Sequence, residues 1–351
     1  MFVDIFSAAK TGRTNDCPNS VEQIVEDDGS TAMLEFCGQL RRLTLESTWY
    51  MEVVCLHPFK NLLYLSISDT TWEYLFTANG GLEQLQSLEE LDISDCEFLE
   101  VMIQGGDKDN DVVFPHLKKL SLRTLSSLSE FCSIPDTPLH FPSLEILYLE
   151  WCSKLEAIFV GPFVAPRLRE LIVKGCYKLQ WLFSGEENQV IELPCLDKLQ
   201  IDSSYVMECL SRRPLKAAKL RKIKLSDCAK MEWLLLGNTN CGEDLELPSL
   251  ERITIKGCLN IKSFSPAVLR APKLQLVKVN DKSYSLTKSE DLNQLLQSIA
   301  DQMAVDFGVH SNPKIQIESE LVPNSEPKAD TKLNPEPDTE SDLGVETTAD
   351  P

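Results

Sequence analysis

The sequence predicts an α/β repeat solenoid, a right-handed superhelix with a continuous parallel β-sheet on its concave side and a mostly irregular convex side. Three observations predict it. The phrase L-x-x-L-x-[LIV]-x-x-[C/T/S] recurs from Leu40 through Leu62, Leu88, Leu117, Leu144, Leu168, Leu196, Leu220 and Leu250 to Leu274. Its starts lie 22 to 30 residues apart. Within each copy apolar and polar residues alternate, the period of a strand with one covered face.

A period of this length carrying L-x-x-L-x-L is the signature of a leucine-rich-repeat solenoid, in which each unit contributes one short parallel strand. In Leu147-Tyr148-Leu149-Glu150 the leucines point inward, and Tyr148 and Glu150 point out. The pattern places strands near Leu43, Leu65, Leu91, Leu120, Leu147, Leu171, Leu199, Ile223, Ile253 and Val277.

Each element of the unit has a reason. Pro115, Pro142, Pro166, Pro194, Pro248 and Pro272 stand two residues before an anchor leucine, where proline imposes an extended preceding residue and needs no ladder hydrogen bond. After the strand comes Cys96, Cys152, Cys176, Cys228 or Cys258, or Thr70 or Ser204 in the same slot. A small side chain there can be buried and still donate weakly to a turn carbonyl. Trp181 and Trp233 follow this slot in Leu-Gln-Trp-Leu-Phe and Met-Glu-Trp-Leu-Leu, and are read as core residues of the outer segment.

Four segments follow along the chain. Residues 1–36 read as a partial repeat, because Cys17-Pro-Asn-Ser-Val21-Glu-Gln-Ile24 matches only the back half of a unit; the chain is expected to begin inside a longer array. Residues 37–282 form the solenoid of about ten repeats. Over 283–308, Leu292, Leu295, Leu296, Ile299 and Met303 have helical spacing after Thr287 and Ser289, which predicts a capping helix. From 309 to 351 the chain is rich in Pro, Glu, Asp, Ser and Thr, too poor in apolar side chains to offset chain entropy, so a disordered acidic tail is expected.

The net charge of −20 argues against general nucleic-acid binding through counterion release. Acid collects in outer loops, as at Asp107, Asp109 and Asp111, or Glu243, Asp244 and Glu246. Most of the 12 cysteines sit on the repeat period, with no apolar leader and no Asn-x-Ser/Thr site, which points to a reducing, cytoplasmic setting and free thiols. The apolar runs are only a few residues long, so no membrane span is expected. There is no phosphate-cradling glycine loop, no Cys-x-x-Cys and no His-Glu-x-x-His, so neither a cofactor nor a metal is expected. Cys132 and His140 are the one pair that a nucleophile argument could use, and no third residue orients them. The chain reads as a non-enzyme.

The phrase F-P-x-L-x-x-L-x-[LIV]-x-x-C-x-x-L-x-x-[IF], as in Phe141 to Phe159 and Ala165 to Phe183, resembles the leucine-rich-repeat region of plant nucleotide-binding disease-resistance proteins with a coiled-coil N-terminus. The resemblance covers residues 17–305. The nucleotide-binding switch motifs of that family are not found in this sequence. The resemblance implies an innate-immune recognition and autoinhibition module. Its partner would be a pathogen effector, a host protein that such receptors guard, or the receptor's own nucleotide-binding domain. The rival reading is a substrate-recruiting subunit of a ubiquitin ligase, whose repeats also use a ladder cysteine.

The outward strand positions mark where a partner would bind. Ile146, Tyr148 and Ile172 form an apolar cluster on a face that should be wet, with Trp151 at the strand end. Lys174, Lys198, Lys222, Lys224, Arg252 and Lys256 continue it as a basic ridge in an acidic chain. Exposed aromatics mark interfaces, and a ridge of one sign steers a partner of the other.

Overall fold

A parallel strand cannot satisfy its own backbone, so each repeat has to borrow its hydrogen bonds from its neighbours. The computed structural model describes residues 39–46, 60–77, 85–105, 112–134, 137–184, 190–211, 214–234, 245–261 and 268–286, and the helical positions 294, 297–299, 301 and 302. The segments read as 1–36 and 309–351 lie outside the described residues.

Ten parallel strands form one sheet: Arg42–Glu46, Tyr64–Ser68, Glu90–Ser94, Lys119–Arg123, Ile146–Glu150, Glu170–Lys174, Lys198–Asp202, Lys222–Ser226, Arg252–Lys256 and Leu276–Val279. Their register is constant. Leu43, Leu65, Leu91, Leu120, Leu147, Leu171, Leu199, Ile223, Ile253 and Val277 pair across successive strands as a single row. All ten expected strand centres are thus strands in one sheet. From Leu65 onward the row is buried, and each such leucine contributes roughly 1.5–3 kcal/mol of transfer free energy.

Two turns punctuate the unit. The proline occupies the second position of a β-turn that ends on the anchor leucine, as in Leu144 N to Phe141 O at 3.2 Å and Leu196 N to Leu193 O at 3.1 Å; proline's fixed φ suits that position. A carbonyl just before each strand then accepts two amides from the next repeat. Lys118 O takes Glu145 N at 2.8 Å and Ile146 N at 3.0 Å, and Glu145 O takes Arg169 N and Glu170 N in the same way. After the strand, one residue adopts a left-handed conformation in every repeat from the second to the last, at Asp69, Asp95, Thr124, Trp151, Gly175, Ser203, Asp227, Gly257 and Asn280, with φ between 49° and 65°. From Asp69 to Asp227 its amide donates to the terminal strand carbonyl of the following repeat, as in Trp151 N to Lys174 O at 2.8 Å.

The outer segments carry more order than the irregular convex side expected. Tyr74–Thr77, Val101–Gln104 and Glu130–Cys132 form a short parallel ladder, Ala157–Val160 pairs with Trp181–Ser184, and two-residue strands add further ladders. Between them and the main sheet runs a stack of phenylalanines: Phe114 to Phe141 at 5.2 Å between ring centroids, Phe159 to Phe163 at 4.1 Å, and Phe163 to Phe183 at 5.5 Å. Trp181 and Trp233 do not join this core. Both are only partly buried, because in Trp181–Ser184 the two middle residues, Leu182 and Phe183, turn inward and the outer two face sideways.

The last parallel strand is covered by an antiparallel one, Lys282–Ser285, reached through an Asn280-Asp281 turn that suits a two-residue hairpin. The helix expected over 283–308 therefore begins later. Of its apolar positions Ile299 is described, and it is buried in the core; Leu292, Leu295, Leu296 and Met303 lie outside the described residues.

Phe159→Ala should lower stability by about 3–5 kcal/mol, because it empties a site packed on several sides, whereas Trp181→Ala should cost less than half as much. Chemical denaturation of the two variants checks this; equal losses would return Trp181 to the core.

Candidate functional site

The outward columns of the long sheet can be followed by register. Tyr148 pairs with Ile172 and Ile146 with Glu170, so Ile146, Tyr148 and Ile172 are neighbours on one face. All three are half-buried by one another and by flanking side chains, and Trp151 beyond the strand end is 46% exposed. Lys174 ties the cluster to the ridge. Its Nζ donates to the Tyr148 hydroxyl at 3.2 Å, lies 5.2 Å from the centre of that ring, and is 3.9 Å from Glu150. Its ammonium is held above the usual lysine range by the hydrogen bond to Tyr148 and by nearby acids.

The ridge divides into two parts. Lys198 is paired with Glu170 at 3.2 Å, and Lys174 is occupied as described. Lys222, Lys224, Arg252 and Lys256 form no ion pair among the described residues. Lys198, Lys222 and Arg252 stand directly opposite one another in three successive strands, an arrangement of like charges that is unfavourable unless an anion offsets it. Arg252 is four strands from Ile146, roughly 19 Å at the spacing of strands in a sheet. Cluster and ridge therefore form an extended track rather than a pocket.

Reading strand positions alone missed two aromatic side chains. Tyr177 and Tyr205 lie in the turns after the strands, and their rings are parallel with centroids 5.3 Å apart; Trp151 packs edge-on against Tyr177 at 5.6 Å. The available signal was a tryptophan in a slot held elsewhere by Asp, Asn, Gly, Ser and Thr.

The ladder cysteines are structural. Cys96, Cys152, Cys176, Cys228 and Cys258 are buried free thiols, and each lies within reach of the carbonyl two residues before it, from 3.2 Å for Cys96 to 3.8 Å for Cys152. Burial pushes the Cys96 thiol up. For Cys152 and Cys228 the hydrogen bond to the next ladder thiol adds to burial in the same direction. The raised thiols of Cys96, Cys152 and Cys228 are poor nucleophiles, while the hydrogen bonds from Cys152 and Cys228 pull Cys176 and Cys258 the other way. Cys132 and His140 sit in different ladders. Among the described residues no cluster of three or more His, Cys, Asp or Glu could hold a metal, and no helix is long and apolar enough to cross a membrane.

A sheet of in-register leucine repeats bounded by ladder thiols defines a leucine-rich-repeat protein. Residues 33–165 match the family of leucine-rich repeats of plant disease resistance proteins like RPS2. A Solanum demissum protein named as a late blight resistance protein homolog is 25% identical over 267 residues, 70% of this chain and 20% of its own length. An Arabidopsis thaliana protein named as a disease resistance protein is 28% identical over 188 residues, 51% of this chain and 20% of its own. The chain thus spans about a fifth of the length of these relatives. Among solved structures, the leucine-rich repeat domain of the type III effector XopL aligns with a TM-score of 0.38 at 16% identity, over 71% of each chain.

The raised Cys96 thiol makes alkaline stability a test of the ladder. Below about pH 9, the ordinary value for a thiol, folded and unfolded chains hold its proton equally. Above it the unfolded chain loses that proton first, so this thiol should make stability fall with rising pH by up to about 1.4 kcal/mol per unit. Cys96→Ala should flatten the decline, as read from melting temperatures between pH 7 and 10. An unchanged slope would mean that Cys96 titrates normally in the folded protein.

Proposed function

We propose that this chain is the recognition and restraint portion of an intracellular plant immune receptor, a non-enzymatic module that binds protein on the exposed face of its long sheet. Its partner is a pathogen effector, a host protein that the effector targets, or the receptor's own nucleotide-binding domain. The observation that carries the reading is the solvent-facing cluster of Ile146, Tyr148 and Ile172, joined through Lys174 to cations that form no ion pair within 4 Å among the described residues. Apolar and aromatic side chains on a face that folding leaves open are interface anchors, and an unpaired cationic run raises the association rate of an acidic partner. The plant disease-resistance relatives support defence as the setting, and favour it over the recruitment of ubiquitin-ligase substrates.

Proximity labelling in infected plant tissue tests the assignment. Proteins labelled by the wild-type chain should be lost with Tyr148→Ala, by about tenfold or more if Tyr148 is an anchor, and should be reduced with Lys222→Glu. Neither variant should shift the melting temperature by more than a degree or two, since both side chains lie outside the core. Partners retained by both variants would place the binding surface elsewhere.

A further inference from the structure

The rim where the long strands end carries a feature that folding does not require. The left-handed slot closes each repeat onto the next, and short polar residues or glycine fill it in eight of its nine instances. A tryptophan at φ 58° is strained there, because its Cβ crowds the following carbonyl and it has no short polar group to compensate. The neighbouring repeat is shaped to receive the indole. At Gly175 a Cβ would lie 2.7 Å from Cε3 of Trp151, so among side chains only that of glycine lets the ring lie across this turn. The indole meets Tyr177 edge-on at 5.6 Å, and Tyr177 lies parallel to Tyr205. The row crosses three repeats, and Trp151 and Tyr205 are each 46% exposed. Strain and wetted aromatic surface both oppose folding, and strain of this kind clusters at binding sites.

The surroundings state the chemistry of the occupant. Lys154, Lys178 and Lys230 lie exposed in the turns of these repeats and the one after, and none forms an ion pair among the described residues. Stacked rings offer flat faces to aromatic or proline side chains, and the lysines offer charge to carboxylates. We propose that the row Trp151, Tyr177 and Tyr205 is an anchor site for an acidic protein segment carrying aromatic or proline residues, which lies across the ends of repeats five to seven with its carboxylates toward Lys154, Lys178 and Lys230. The site is an addition to the sheet-face track and rests on the reading of this chain as a recognition module.

The experiment is selection of a random 16-residue phage-displayed peptide library on the immobilised full chain, followed by anisotropy titrations of the enriched peptides. The proposal expects peptides that combine acids with aromatic or proline residues and bind more weakly as salt rises. Trp151→Asn should weaken them by about thirtyfold and also raise the melting temperature, because asparagine suits the left-handed slot. Peptides that ignore Trp151→Asn but are lost with Tyr148→Ala would overturn the rim site and leave the sheet-face reading standing. Failure to enrich any acidic, aromatic or proline-bearing peptide would overturn it, as would a melting temperature lowered by Trp151→Asn with binding intact. Single-stranded oligouridine binding more tightly than every enriched peptide would also overturn it, by making the row a nucleic-acid platform.

Discussion

The structure depends on one constraint, the constant register between neighbouring strands. Every parallel pair from Arg42–Glu46 to Leu276–Val279 keeps the same offset, which is possible because both ends of the strands from Tyr64–Ser68 to Lys222–Ser226 are locked to the adjacent repeat. At the front, one carbonyl accepts two amides; at the back, a left-handed residue reaches the next strand's last carbonyl. With the phase locked, inward positions become rows of leucine, ladder thiols line up, and phenylalanines from successive outer segments stack. A slip of one residue would turn every leucine row to solvent. Stability is then a sum over neighbours, and outward positions are free to vary without changing the fold.

Most of the main sheet was legible because its physics is local. Alternation of period two assigns faces, the proline places the turn into the strand, and the ladder slot places the turn out of it. The back ladders were not legible. Their residues, as in Tyr74–Thr77 and Trp181–Ser184, bury two adjacent side chains and leave the flanking ones half-buried. That pattern belongs neither to a strand nor to a helix, so Trp181 was misplaced among the core residues. The constant left-handed slot was half visible in Asp69, Asp95, Asp227, Asn280, Gly175 and Gly257, all residue types that tolerate it, while Trp151 gave no such sign.

The candidate surface was legible to the same degree. Columns of outward positions put Ile146, Tyr148 and Ile172 together, and the register pairs among them agree. Two things needed coordinates. Pairing between repeats decides which cations remain available, and it removes Lys174 and Lys198 while leaving Lys222, Lys224, Arg252 and Lys256. The turns after the strands contribute Tyr177 and Tyr205, which a count of strand positions passes over. The surface that results is graded, with the Asp92 and Arg123 ion pair at 2.8 Å toward its start, an apolar centre, and unpaired cations toward its end. A partner bound across the strands would meet these zones in order, so orientation as well as affinity would be encoded.

The central claim is that register dictates which side chains are displayed, and single-cysteine substitutions along three adjacent strands test it most directly. Native protein carrying Cys at Ile172, Gln200 or Lys224 should be alkylated quickly by a water-soluble reagent, with site-resolved mass spectrometry separating these from the natural thiols. Cys at Leu171, Leu199 or Ile223 should stay protected until denaturant is added. Equal labelling of the two sets, or protection of the first and labelling of the second, would contradict the account.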